Sequence, residues 1–112
     1  MGIYITQGNY TEKAVKGMVD NPEDREAAVA GLMESVGAKL LHYYVTTGRY
    51  DFLVISEGND IKDLVAALMI AGASGGVTNL KTVQGLTTQE AKIVLERANS
   101  VSGGFVAAGA GS

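Results

Sequence analysis

The chain has no cysteine and no tryptophan, and only one histidine, one proline and two phenylalanines in 112 residues. Without thiols there is no disulfide, no iron–sulfur cluster and no thiolate zinc site. A lone histidine leaves one chain short of ligands for a stable metal site. Lysine and arginine are scattered with no basic run, and the net charge is −3, which argues against binding through nucleic-acid phosphates. No apolar stretch is long enough for a transmembrane helix, and the opening MGIYITQG lacks the charged and apolar regions of a signal peptide. The default expectation is a cytoplasmic protein with no membrane partner. Gly2 and Thr6 match a myristoylation motif only by coincidence, because Ile3 to Thr6 reads as a strand.

Against these absences stands an apolar fraction of 46%. It is enough for the core of one domain, in a chain small enough that oligomerisation adds useful burial. The clearest local signal is KLLHYYVTTGRYDFLVISE, Lys39 to Glu57, where two runs rich in β-branched and aromatic residues flank Thr47-Gly48. Gly48 is expected at positive φ. A two-residue loop there sets Tyr44 opposite Asp51, His42 opposite Leu53 and Leu40 opposite Ile55. Alternation then places all of these, with Thr46 and Arg49, on one mixed face. The other face carries Leu41, Tyr43, Val45, Tyr50, Phe52 and Val54 and calls for a covering layer of helices. A slip of one residue would exchange the two faces.

Gly2 to Gln7 alternates as a first strand. Thr11 caps a short helix to about Val19, and Asn21-Pro22 opens another whose stripe is Ala28, Val29, Leu32, Met33 and Val36, stopped by Gly37. After the hairpin, Ile61, Leu64, Val65, Leu68 and Met69 form the buried stripe of a further helix ending at Gly72. Gly76 to Gly85 is the fourth strand. Thr87 and Glu90 form a capping box, and Ala91, Val94, Leu95 and Ala98 are expected to face inward. The order β-α-β-β-α-β plus a C-terminal helix predicts an α+β, ferredoxin-like fold with a four-stranded antiparallel sheet. Residues 1–99 form the domain, and residues 100–112 are expected to be a flexible Gly/Ala/Ser-rich tail in which Phe105-Val106 is the one sticky point.

Gly48-Arg49-Tyr50-Asp51, followed by the apolar strand Phe52 to Ser56 and Glu57, resembles the signature of the GYD domain family. Asn21 to Glu23, Gly37-Ala38-Lys39-Leu40, Tyr43-Tyr44 and Asn79-Leu80-Lys81-Thr82 agree with it, so the likeness runs from Gly2 to Ala98. It implies a relation to the dimeric α/β-barrel superfamily and hence a homodimer or higher homo-oligomer. It leaves the chemistry open, and His42 is not part of the family pattern.

Asp51 is disfavoured inside a strand and needs a partner if buried, so it reads first as a latch fixing the hairpin or the dimer. His42 lies diagonal to Asp51 and two residues from Tyr44. Such a set could serve an enzyme that needs no cofactor, with His42 as base, Asp51 orienting it and Tyr44 polarising the substrate. Haem or metal ligation by His42 is a minor alternative; otherwise no cofactor is expected. Tyr4, Tyr10 and Tyr50 read as core or rim. No phosphate loop and no nucleophile elbow is present. Three readings follow. One is a pocket for a small apolar or aromatic ligand between sheet and helices or between subunits, with contacts expected from Leu40, Leu53, Arg49, Tyr50 and Tyr4. The others are the enzyme and a structural assembly module.

Overall fold

In a computed structural model, whose described residues are 1–110, burial alternates strictly along two strands. In β1 (Gly2–Tyr10) the residues Tyr4, Thr6 and Gly8 are buried. In β3 (Phe52–Gly58) Phe52, Val54, Ser56 and Gly58 are. Period two with one buried face is the mark of a sheet covered on one side. These two strands pair antiparallel at the centre, flanked by β2 (Lys39–Val45) and β4 (Val77–Gly85), in the order β2-β3-β1-β4. The helices α1 (Glu12–Asp20), α2 (Arg25–Ser35) and α3 (Ile61–Ala73) lie between strands in the chain, and α4 (Thr88–Val101) follows β4. This is the expected α+β, ferredoxin-like arrangement. The core joins Tyr4, Phe52 and Val54 of the sheet to Met33 of α2 and to Leu64 and Ala67 of α3.

Local chemistry sets most of the boundaries. The Thr11 hydroxyl accepts from Ala14 N–H and starts α1. Asn21 does not open α2. It closes α1, its N–H donating to Gly17 O, and Asp24 caps α2 instead by accepting from Glu26 N–H at 2.9 Å. Gly37, at φ +83°, turns the chain out of α2. The buried line of α3 is Leu64 and Ala67 with Leu68 partly covered, whereas Ile61, Val65 and Met69 of the expected stripe are exposed. The buried stripe is rotated by about one residue from the expected one, toward the small Ala67. The capping box of α4 forms as read, with Thr87 N–H donating to Glu90 and Glu90 N–H to the Thr87 hydroxyl. The expected inner side of α4 is not covered: the helix has no buried residue, and Val94 and Leu95 are 53% and 68% exposed. Of the expected tail, Ser102–Gly104 forms a 3-10 turn, and residues 111–112 lie outside the described residues.

The hairpin departs from the expected register in two ways. Thr46 N–H donates to Asp51 O at 2.8 Å, so the loop spans Thr47 to Tyr50, with Gly48 at φ +97°. Tyr44 therefore faces Leu53, and His42 faces Ile55. A two-residue shift leaves the faces unchanged, so Tyr43, Phe52 and Val54 still point to the helices. The second departure is a bulge between Leu40 and His42. It reverses the alternation of β2, and Leu40 packs into the helix-side core. Leu40 thus does not share a face with His42 and Tyr44.

Candidate functional site

The opposite face of that hairpin builds the most developed site. Phe52 is flanked by two tyrosines, with ring centroids 5.1 Å from Tyr10 and 6.1 Å from Tyr43. Such spacings are those of interacting aromatic pairs. The Tyr10 and Tyr43 hydroxyls are hydrogen-bonded to each other across the ends of β1 and β2. Burial above all, and then the bond to Tyr10, raise the Tyr43 phenol well beyond its usual range, against a smaller opposing pull from Arg25. Tyr43 is therefore neutral at any physiological pH.

These aromatics form one end of a cavity of about 510 Å³ between the sheet and the helices. Val54 and Leu80 continue the sheet wall, α2 supplies Val29, Leu32 and Met33, and α3 supplies Ala67, Leu68 and Ala71. From α1 come Ala14, Gly17 and Met18. The lining is mostly apolar. Thr6, tied to Thr82 by a hydroxyl–hydroxyl bond of 2.9 Å, is one of its few polar groups. A smaller depression of about 330 Å³ shares Tyr10, Met18, Glu23, Arg25 and Tyr43 with the main cavity. Arg25 donates to Glu23 at 3.3 Å, and both side chains are part-exposed at this mouth. Here α1 has no buried residue, and its start is fixed to the loop before β4 by Thr11 N–H and hydroxyl bonds to Gly76 O and Gly75 O.

The residues singled out in the sequence do not gather. His42 is exposed on the outer sheet face, its ring stacked on Tyr44 at 6.0 Å. Asp51 lies just before β3, four positions ahead of His42's partner Ile55, or about 13 Å along the chain. Its carboxylate accepts from Tyr10 N–H at 2.9 Å and its own N–H donates to Gly8 O at 2.8 Å, which is the geometry of a latch. Leu53 is on the outer face, Arg49 and Tyr50 are in the loop, and Tyr4 and Leu40 are packed in the core. None of the three proposed catalytic side chains, His42, Asp51 and Tyr44, lines the cavity. Among the described residues no group of three His, Asp or Glu side chains is placed to hold a metal ion, and no helix is long and apolar enough to cross a membrane. The Tyr10–Tyr43 pair escaped sequence reading because its partners are 33 residues apart. The one available signal was that a tyrosine on an apolar, helix-covered face needs a partner for its hydroxyl.

Comparison with known proteins bears on fold and family. The GYD domain profile matches residues 4–95. The fold is similar to that of TTHA0845 from Thermus thermophilus, with a TM-score of 0.50 and 16% identity over 78% of this chain and 95% of that one. It also resembles FFRP-DM1, with a TM-score of 0.48 and 15% identity over 77% of this chain and 100% of that one. No curated protein matches the chain.

Proposed function

This chain belongs to the GYD domain family, and from that premise we propose that it binds a small, planar, largely apolar molecule in the cavity between its sheet and helices. The observation that carries this reading is the opening of about 510 Å³ walled by Phe52, Tyr10 and Tyr43. Protein interiors are close-packed, with few voids larger than a water molecule. A mostly apolar space of this size matches the range of small-molecule sites. A library of aromatic compounds screened by thermal shift and by ligand-observed NMR tests it. Binding should be lost in Ala71→Leu, which fills the cavity from a half-buried position on α3. A library without a binder, or binding unchanged in a folded Ala71→Leu, refutes the reading.

Homo-association is a second proposal, resting on a separate observation. Among the described residues no layer covers the outer sheet face, with Ile3, Ile5, Leu53, Ile55 and Val83, and the large apolar residues of α4 are exposed. A second copy is the occupant that fits both, because a two-fold axis covers like with like. The cross-strand pair Lys39 and Glu57 at one margin of that face offers each copy both charges. Four strands of seven to nine residues present roughly 500 Å² in plan. That is short of the about 800 Å² per partner usual in stable interfaces. The 14 residues of α4, about 21 Å long, supply the remaining surface. Light scattering behind size exclusion should give a dimer for the full chain and a monomer for Val94→Glu/Leu95→Glu. A monomeric full chain, or a dimer indifferent to the double substitution, rejects this arrangement.

A further inference from the structure

We infer that the cavity selects ligands carrying a neutral carbonyl oxygen, which accepts a hydrogen bond from the Tyr10–Tyr43 hydroxyl pair while the apolar body lies against Phe52. The inference rests on the cavity reading and adds the chemistry of one polar contact. A phenol has a single O–H hydrogen and two acceptor lone pairs. Two phenols bonded to each other use one of their two hydrogens between them. The second O–H has no acceptor among the described residues and borders the empty space. A donor facing a mostly apolar cavity gains most from an acceptor brought in by a ligand, because none of the lining's few acceptors is bonded to it.

Position and charge narrow the class further. Both tyrosines line the main cavity and the smaller depression at the mouth, so the pair stands at the throat between them. A ligand lodged inside leaves its polar end at that throat. The nearest cation, Arg25, is already engaged by Glu23. The pair presents a donor rather than an anion, since the burial described above keeps Tyr43 protonated. A carboxylate entering here would give up its hydration for a neutral donor and a shared guanidinium, which is a poor exchange. A ketone, aldehyde or quinone oxygen loses little hydration and takes the free O–H directly.

Three probes on one ring system test the idea: naphthalene, 2-acetylnaphthalene and 2-naphthoate, with affinities measured by ligand-observed NMR on the full chain. The ketone should bind about five- to tenfold tighter than naphthalene, the worth of one neutral hydrogen bond. Tyr10→Phe and Tyr43→Phe should each keep that preference, since each leaves one free O–H. Tyr10→Phe/Tyr43→Phe should abolish it without weakening naphthalene. A preference that survives in the double variant, a ketone no better than naphthalene, or naphthoate as the tightest probe overturns the inference and leaves the cavity reading intact. Failure of all three to bind overturns both. Should the double variant not fold, the carbonyl stretch of the ketone bound to the unaltered protein decides. A stretch lowered from its value in an alkane supports the bond, and the alkane value refutes it.

Discussion

Asp51→Ala should destabilise the protein far more than its part-exposed position suggests. The β1–β3 ladder ends at Gly8 opposite Phe52, yet β1 continues to Tyr10. Asp51 supplies what the next rung would have given. Its N–H donates to Gly8 O at 2.8 Å, and its carboxylate accepts from Tyr10 N–H at 2.9 Å. Alanine keeps the first bond and orphans the second donor. A hydrogen bond to a charged group is worth about 1.5–3 kcal/mol, and water reaching this half-buried site offsets part of it, leaving about 1–2 kcal/mol. Asn keeps an acceptor without the charge and should cost about half as much. For a domain of this length 1 kcal/mol moves the melting point by about 4–8 °C, so Asp51→Ala should melt roughly 5–15 °C lower. Urea unfolding followed by circular dichroism, with an unchanged slope, gives the free energy directly. An Asp51→Ala variant within about 0.5 kcal/mol of the parent would refute the latch, that being the ordinary scatter of surface substitutions. So would an Asn variant as damaged as the Ala one, for then the acceptor geometry is not what matters.

Gly8→Ala should cost about 1–3 kcal/mol in the same titration, the usual penalty of overpacking. A Cβ there falls 2.7 Å from Leu80 Cδ2, 2.8 Å from Phe52 Cζ and 3.2 Å from the Thr78 carbonyl, which is backbone and cannot step aside. Ser56→Ala should be neutral or stabilising by up to about 1 kcal/mol, because the buried Ser56 hydroxyl has no partner among the described residues and its burial is a net cost. Lost stability in that variant would mean the hydroxyl is satisfied. The Glu90 carboxyl is held below its ordinary 4.5 by the Thr87 backbone N–H and then by the Thr87 hydroxyl contact. Folding therefore favours the carboxylate, and its contribution to α4 is complete above 4.5 and fades as pH falls through the lowered value. Ellipticity at the helix minimum should drop on acidification, with a smaller drop in Glu90→Gln; equal acid responses would reject the capping role.

Signals contained within a few residues were legible in the sequence. The alternation of β1 and β3, the Thr11 cap, the Thr87–Glu90 box, the stop at Gly37 and the positive φ of Gly48 each depend on chemistry between near neighbours, and each formed as read. What went wrong needed information from across the fold. The loop length is fixed by the Thr46–Asp51 bond and by Asp51's attachment to β1, neither of which the dipeptide Thr47-Gly48 reveals. The bulge before His42 lies inside an unbroken run of strand formers, so nothing local marks it. The inner side assigned to α4 came from sound helical spacing, but spacing names a stripe and not the surface that covers it. For the same reason the polar mixture around His42 and Asp51 drew attention to one face of the hairpin, while the cavity formed on the other, where two hydroxyls are concealed among apolar neighbours.

The helix that leaves the body has a thermodynamic corollary. With α4 extended, the molecule spans 64 Å and its radius of gyration is 18.5 Å, against about 13 Å for a folded chain of this length. Helices this short are marginal in water on their own. Under the pairing of two copies proposed above, α4 would take its order from its neighbour and lose it when neighbours are scarce, so mass action would couple the secondary structure of the last fifth of the chain to how much of the protein is present. Dilution should then unwind that end first and leave the sheet untouched, which makes helical content a gauge of abundance.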